Sequence, residues 1–459
     1  MDDFESTLVA IVNPWKIGAL KGAVTGTRRT ALAVESQCLR LRECTEASRM
    51  LQGASRSPSY QRGLAGSRSI ASVVRSTAPV EMPSSRSRPP LPGASPPASR
   101  RRWALRLGAI AIGLAASEVF LRLALFLWAR GGGSRNFDQP SETLARLHYA
   151  YANGMGSSLS QASDGMEHDP HRGYRLKGGQ HSRTFGPMTF STNGRGMRGA
   201  AEYSVPKPAA VTRIVALGDS MTFGFDVDDD STWPAQLARA LPGTEVANLG
   251  EPAFAHDQMY FSLVDEGIRL QPDAVVLGFF EPDLMRDELT FYSYEKPRFT
   301  RRDGEWRIEN VPVPTPRELS TRMFAIPALY AVPRALIETL EALRGVPPSP
   351  DDRGYEILRR MRAAAEAAGA RFVVVRIPEH PEQEPWQGGF FARYCASSGA
   401  ECVDPWPLFR TLAGTDSPAV LRERYQLPND MHYARAGYAV VVEALVRHFA
   451  AHPLGHAHD

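Results

Sequence analysis

The chain has 459 residues, 43% of them hydrophobic, and a formal net charge of +3, which is enough for two or three domains of ordinary globular composition. The charge is unevenly placed: residues 1–102 carry 16 Lys/Arg against 7 Asp/Glu, a net +9, which leaves −6 for the remainder. The arginines of the basic end lie among serines and prolines with few aromatics to stack on bases, so composition argues for a disordered region and against nucleic-acid binding.

In chain order, residues 1–102 form this disordered basic region, with Arg56–Arg102 rich in Ser, Pro, Arg and Gly and too poor in large apolar groups to offset the entropy of ordering. Met82 precedes a short basic lead and a hydrophobic run, so residues 1–81 read as an over-extended start. Residues 103–128 are mostly apolar and exceed the roughly 20 residues that span a bilayer. Arg106, Glu118 and Arg122 interrupt them, the last two at i and i+4, where they can pair on a helix. A cleaved signal peptide with Leu107–Ser117 as its apolar region is the alternative, but hydrophobicity continues through Trp128 and favours an uncleaved anchor. Arg100–Arg102 ahead of the span place the amino terminus in the cytoplasm and the rest outside.

Residues 131–210 read as a polar linker, to about 160, followed by a clasp of short strands in "HDPHRGYRLKGG" and "MTFSTNGRGMRG". Residues 211–452 then alternate strands and helices. The expected strands are Arg213–Leu217, Glu245–Leu249, Ala274–Phe280, Arg371–Ile377 and Glu401–Val403, and a last helix runs from Ala434 to Phe449. Such alternation implies an α/β domain with a parallel sheet covered on both faces. Residues 284–350 interrupt it as an insertion, whose "KPRFTRRDGEWRIENVPV" alternates about Asp303-Gly304 as a hairpin does. Its aromatics Phe291, Tyr292, Tyr294, Phe299 and Trp306 fit an acyl or sugar groove and fit core packing equally. Of four cysteines, Cys38 and Cys44 lie in the basic end. Cys395 and Cys402, seven apart, suit either a bridge in an oxidising compartment or two small buried thiols. No Cys/His spacing matches a zinc site, and no metal or cofactor is expected.

The chemistry centres on "RIVALGDSMTFGFDVDDDSTW". A buried strand stops at Gly218 and a helix restarts at Thr232, so Ser220 falls at the carboxyl end of the first strand, where open sheets place ligands. A serine needs a base. Among eleven histidines, His448, His452, His456 and His458 belong to the last helix or tail, and His256 and His380 lie near strand ends. His432 in "LPNDMHYARAGY" has Asp430 two residues before it, and in an extended turn the carboxylate can hold Nδ1–H while Nε2 faces the serine. The acidic run Asp226–Ser231 suggests a cation site, but acidic residues before a helix are favourable without one.

With serine after the first strand and Asp-x-His before the last helix, the chain resembles the SGNH, or GDSL-type, hydrolase superfamily over about residues 210–450. The resemblance rests on "GDSMTFG", "VANLGEPAFAHDQ", "PDAVVLGFF" and "NDMHYARAGY". It implies a flavodoxin-like three-layer α/β/α sandwich and hydrolysis or transfer of acetyl or acyl esters on sugars and lipids. It further implies Ser220 as nucleophile, His432 as general base and Asp430 as its orienting acid. The oxyanion would be held at Ser220 and Ala253, the latter standing where the family usually has glycine. The family's asparagine donor has Pro282 or Asp283 in its place, and losing one such donor typically costs about two to three orders of magnitude in turnover. The expectation is thus a single-pass membrane protein, anchored through residues 103–128, with a periplasmic serine esterase or acyltransferase domain acting on an ester-bearing carbohydrate or lipid of the cell envelope. A non-catalytic carbohydrate-binding relative is the alternative. A reporter fused after Asp459 is expected to be active only outside the cytoplasm; cytoplasmic activity of the reporter refutes the topology.

Overall fold

The computed structural model describes residues 98–131, 141–156, 165–185, 188–344, 351–383, 388–428 and 430–454. The basic end before residue 98, the start at Met82, Cys38, Cys44, His456 and His458 lie outside them. The chain divides into two units at Ala109/Ile110, and the described part of the first is only the beginning of helix α1 (Ala98–Arg130). From Arg101 to Arg130 this helix is long and apolar enough to cross a membrane.

Five parallel strands form the sheet of the second unit: β5 (Thr212–Leu217), β6 (Thr244–Asn248), β7 (Ala274–Phe279), β12 (Arg371–Arg376) and β13 (Glu401–Val403), in the order β13-β12-β7-β5-β6. The chain winds outward from β5 to β6, then crosses back to β7 and beyond, so the winding direction reverses between β5 and β7. Loops leaving these two neighbours diverge at their carboxyl ends and open a crevice.

Two cores enclose the sheet, and strand residues alternate between them. Val215, Leu217, Val275, Leu277, Phe372 and Val374 face one core, with α5 (His256–Ser262), α9 (Asp351–Ala367) and α10 (Phe390–Ser398) over them. Ile214, Ala216, Ala274, Val276, Val373 and Val375 face the other, under α4 (Trp233–Ala240), α11 (Trp406–Ala413), α12 (Pro418–Tyr425) and α13 (Arg435–Ala451). Both faces are apolar, which is why these strands read as continuous β-branched runs. Each fully buried valine or leucine contributes about 1.5–3 kcal/mol. The result is the three-layer α/β/α sandwich with a parallel sheet.

The expected strands of the sheet and the expected last helix differ from the observed ones only at their ends, where helices and strands fray. In the insertion, β10 (Arg298–Arg302) pairs with β11 (Glu305–Glu309), and Asp303 and Gly304 both have positive φ, 52° and 84°, as a two-residue hairpin turn requires. Phe291, Tyr294 and Phe299 are buried in the first core, so these aromatics of the insertion pack rather than line a groove. Cys395 and Cys402 are joined as a disulfide between α10 and β13.

Residues 131–160 are not simply a linker. Glu142–Asn153 form a helix, α2, started by the Ser141 side chain, with Ala145, Leu147, Tyr149 and Tyr151 buried. Alanines and aromatics at helical spacing give it an apolar face, which small-residue content alone conceals. The clasp is likewise built into the domain. After the hairpin of β1 (Met166–Asp169) and β2 (Gly173–Leu176), the buried guanidinium of Arg198 donates to the carbonyls of Phe223, Gly224 and Val227 and to the Asp229 carboxylate at 2.5 Å. These groups crowd the end of the turn that carries Ser220. Arg198→Ala strips them of their donor and is expected to lower unfolding stability by about 3 kcal/mol, read as a lower urea midpoint; an unchanged midpoint would remove Arg198 as a fastening of the clasp.

Candidate active site

The site begins where β5 ends. Gly218 has φ 157°, and a Cβ there would lie 2.0 Å from Thr222 Oγ1, so only glycine lets the chain turn this tightly. Asp219 then accepts from Met221 N and caps a single helical turn, α3 (Ser220–Phe223), which ends at left-handed Gly224. Ser220 is the first residue of that turn. Its Oγ therefore emerges at the carboxyl edge of the sheet, beside the β5/β7 crevice.

His432 reaches it from the segment before α13. Nε2 lies 2.8 Å from Ser220 Oγ and Nδ1 lies 2.6 Å from Asp430 Oδ1. The same Asp430 oxygen accepts the backbone N–H of His432 at 2.9 Å. A carboxylate that bonds the N–H two residues on forms a closed turn, and this turn accounts for the Asp-x-His spacing. The three side chains form a serine–histidine–aspartate triad. Hydrogen bonding from His432 holds the Asp430 carboxyl down at about 2, so it stays ionised in any physiological medium. Phe225 packs on the His432 ring, with centroids 5.2 Å apart, and Tyr433 next to it is pinned by its hydroxyl to the Pro378 carbonyl at 2.6 Å.

The second of the four matching blocks, "VANLGEPAFAHDQ", supplies the neighbouring loop, and the third, "PDAVVLGFF", leads into the helix beyond it. Asn248, at the end of β6, donates to the Thr222 carbonyl at 3.0 Å and accepts from Gly250 N at 2.9 Å. Gly250 packs so closely on α3 that a Cβ would lie 2.4 Å from Phe223 N. Ala253 has φ 65°, the conformation glycine adopts freely, and an alanine held there costs of order 1 kcal/mol. Its neighbours hold it in place: Tyr174 of the clasp donates to the Pro252 carbonyl at 2.7 Å, and Arg286 donates to the Phe254 carbonyl at 3.1 Å.

In the third block, helix α6 (Asp283–Asp287) follows β7. Asp283 is completely buried, with its carboxyl 2.5 Å from Arg286 Nη1 and facing Asp219. Burial pushes its pKa well up and favours the neutral acid. Burial thus works against the negative charge that sequence reading places here, while the Arg286 guanidinium favours it. Pro282 begins the turn and offers no N–H. Sequence reading overlooked Arg286, which donates from Nη1 to Asp219 Oδ2 at 3.2 Å as well as to Phe254 and lies over the Tyr292 ring at 4.9 Å. It ties together the Ser220 turn, the second block and the third. Its spacing of three from Asp283, one turn of helix, was the available signal.

The other candidates take different places. His256 is fully buried and paired with Asp287 at 2.9 Å, stacked on Phe279. His380 lies near Glu379 and Glu382, and His448 pairs with Glu401. The acidic run, read as helix-end charge, divides its carboxylates among specific donors: Asp228 accepts from Thr189 N, Asp229 from Ser191 N and Arg198, and Asp230 from Arg435. Asp226, Asp430 and His432 each place one possible ligand atom within 4.8 Å of the others. Two of these belong to the triad, and Asp226 adds a further carboxyl beside it, its pKa raised by burial and by Asp430.

No family model matches the chain, and no curated protein matches it in sequence. Solved structures do. A member of the lipolytic protein G-D-S-L family from Veillonella parvula is 12% identical, covers 52% of this chain and 99% of its own, and gives a TM-score of 0.31. The lipase/acylhydrolase from Enterococcus faecalis is 14% identical, with 53% and 97% covered and a TM-score of 0.29. The psychrotrophic esterase EstA from Pseudoalteromonas is 12% identical, with 52% and 97% covered and a TM-score of 0.30. These likenesses are distant, and the functional reading stands on the triad geometry instead.

Beside the second block, Glu251 is buried and pushed up to about 8 by desolvation. One carboxyl oxygen accepts from Leu176 N at 2.9 Å. Between about 4.5 and about 8 the folded protein holds a proton here that the unfolded chain has released, so stability falls as pH rises through that window. Glu251→Gln removes this proton linkage. Compared with wild type, its unfolding free energy is expected to gain up to about 1.4 kcal/mol per pH unit across the window, measured by urea unfolding at pH 5 and 8. Parallel profiles for the two proteins would show that Glu251 is ionised when folded.

Proposed function

We propose that this chain is an exported, membrane-anchored serine esterase or acyltransferase of the SGNH type, acting on an acetyl or acyl ester of a cell-envelope carbohydrate or lipid. The observation that carries the reading is the continuous hydrogen-bonded path from Ser220 Oγ through His432 to Asp430 at the carboxyl edge of the sheet. Ser220 Oγ attacks the ester carbonyl carbon as His432 Nε2 takes its proton, and Asp430 holds Nδ1–H and stabilises the imidazolium. The carbon–oxygen bond to the leaving alcohol then breaks, with the His432 proton passing to the departing oxygen. Water or an acceptor hydroxyl attacks the resulting acyl-serine by the reverse sequence.

The oxyanion is held by the backbone N–H groups of Ser220 and Ala253. Arg286 positions both, through Asp219 on one side and the Phe254 carbonyl on the other. Its positive charge lies next to the turn at which an anion develops. Export is supported by the apolar helix near the amino terminus, by the arginines ahead of it and by the Cys395–Cys402 bridge, since such bridges persist in oxidising compartments. The non-catalytic alternative gains nothing from a hydrogen-bonded triad.

The full chain is expected to react covalently with a fluorophosphonate at Ser220, and Ser220→Ala and His432→Ala are each expected to abolish the reaction. Labelling that survives Ser220→Ala would overturn the assignment. Arg286→Met is expected to keep the labelling site but lower kcat on a small ester on the order of a hundredfold, with KM little changed; an unaltered kcat would remove Arg286 from the positioning role.

A further inference from the structure

The charged pair inside the apolar helix α1 has a structural use away from the triad. Two helices of the insertion, α7 (Pro316–Ala325) and α8 (Ala328–Leu343), meet at an elbow bent by 104°. A break between helices frees carbonyls at the end of one and N–H groups at the start of the next. In water, solvent satisfies such groups. Here α1 does so: Glu118 accepts from Ala328 N and Leu329 N, both at 2.9 Å. Arg122 donates to the carbonyls of Phe324 at 3.0 Å and Ile326 at 3.2 Å, and its Nε bonds Glu118 at 2.6 Å. The pair that would burden a lone span thus satisfies the polar backbone of the elbow, and each requirement answers the other.

The sequence of the elbow matches this use. From Met323 to Pro333 it is uncharged, "MFAIPALYAVP", with Arg322 and Arg334 on either side. One face of α8, Ala328, Ala331 and Ala335, is buried, the first two in a cluster with Leu125 and Ala129 of α1 and Leu147 and Tyr151 of α2. The opposite face carries Tyr330, Leu336, Ile337 and Leu340, which are 54–60% exposed and lie on one helical stripe. Val119, Phe120 and Leu123 of α1, in the same stretch as the charged pair, are also more than half exposed. Exposed apolar residues in such number mark a surface made for a non-aqueous partner.

We propose that the α7–α8 elbow and the outer face of α8 are immersed in the bilayer beside α1, with lipid acyl chains as their occupant. Three features favour lipid over a protein partner. Four backbone groups of the break are satisfied by side chains of α1, as lipid demands; the intramembrane charges are paired with each other and with backbone groups; and the apolar surface adjoins a helix able to cross the membrane, with arginines at the margins of the elbow as in interfacial segments. The ester site would then be held at a set height over the membrane by two attachments rather than swinging on one. The inference rests on the anchor reading and is independent of the catalytic one.

The test places p-benzoylphenylalanine at Val119, Tyr330 or Ile337 of the full chain in phosphatidylethanolamine/phosphatidylglycerol vesicles, irradiates, and identifies adducts by mass spectrometry. Lipid adducts at all three positions are expected. Replacing the caps, Glu118→Gln with Arg122→Gln, is expected to abolish the adduct at 337 and leave that at 119. Lipid at 119 with none at 330 and 337 overturns the proposal, as does crosslinking of 330 or 337 to a second copy or to another protein. Absence of lipid at 119, together with release of the chain by alkaline carbonate, overturns the anchor reading itself and the proposal with it.

Discussion

The bond between His432 Nε2 and Ser220 Oγ joins residues 212 apart in sequence, and it exists only because a parallel sheet brings both ends of the domain to one edge. Ser220 follows the first strand of the sheet; His432 precedes its last helix. Reversal of the winding between β5 and β7 opens the crevice in which they meet. A hydrogen bond of this kind tolerates little displacement, so each flanking segment has to be held from several directions.

That holding is largely polar. Arg286 links Asp219, Asp283 and the Phe254 carbonyl, while Arg198 gathers three carbonyls and Asp229 behind the Ser220 turn. Buried guanidiniums are costly to desolvate and repay it only when their donors are matched. In return they fix direction, which an apolar contact does not. The strained backbone at Ala253 is held by the same means, with Tyr174 and Arg286 on the carbonyls to either side of it. The clasp and the insertion therefore belong to the site as much as the sheet does.

Sequence reading recovered the parts of this arrangement that are local. Apolar runs bounded by Gly218, the Asp-Gly hairpin, and the Asp-x-His turn each express their structure within a few residues, because backbone sterics and short-range hydrogen bonds decide them. Helix α2 escaped because its apolar face is, apart from Leu147, made of alanine and tyrosine, which composition counts as small and polar. The partners of the acidic run stayed hidden for a related reason: the donors Thr189, Ser191, Arg198 and Arg435 all lie in other segments of the chain.

By itself, then, the sequence determined the α/β class, the apolar span, and the identities of Ser220, Asp430 and His432 as candidates, since period, length and spacing are properties of neighbouring residues. Tertiary structure alone decided that the His432 ring reaches Ser220, that Asp283 is fully buried beside Arg286 rather than exposed, that Arg286 stands among the three blocks, and that Glu118 and Arg122 meet a helix break some 200 residues away. Burial and long-range pairing set those outcomes, and neither desolvation nor a distant donor leaves a mark on the residues adjacent in the chain.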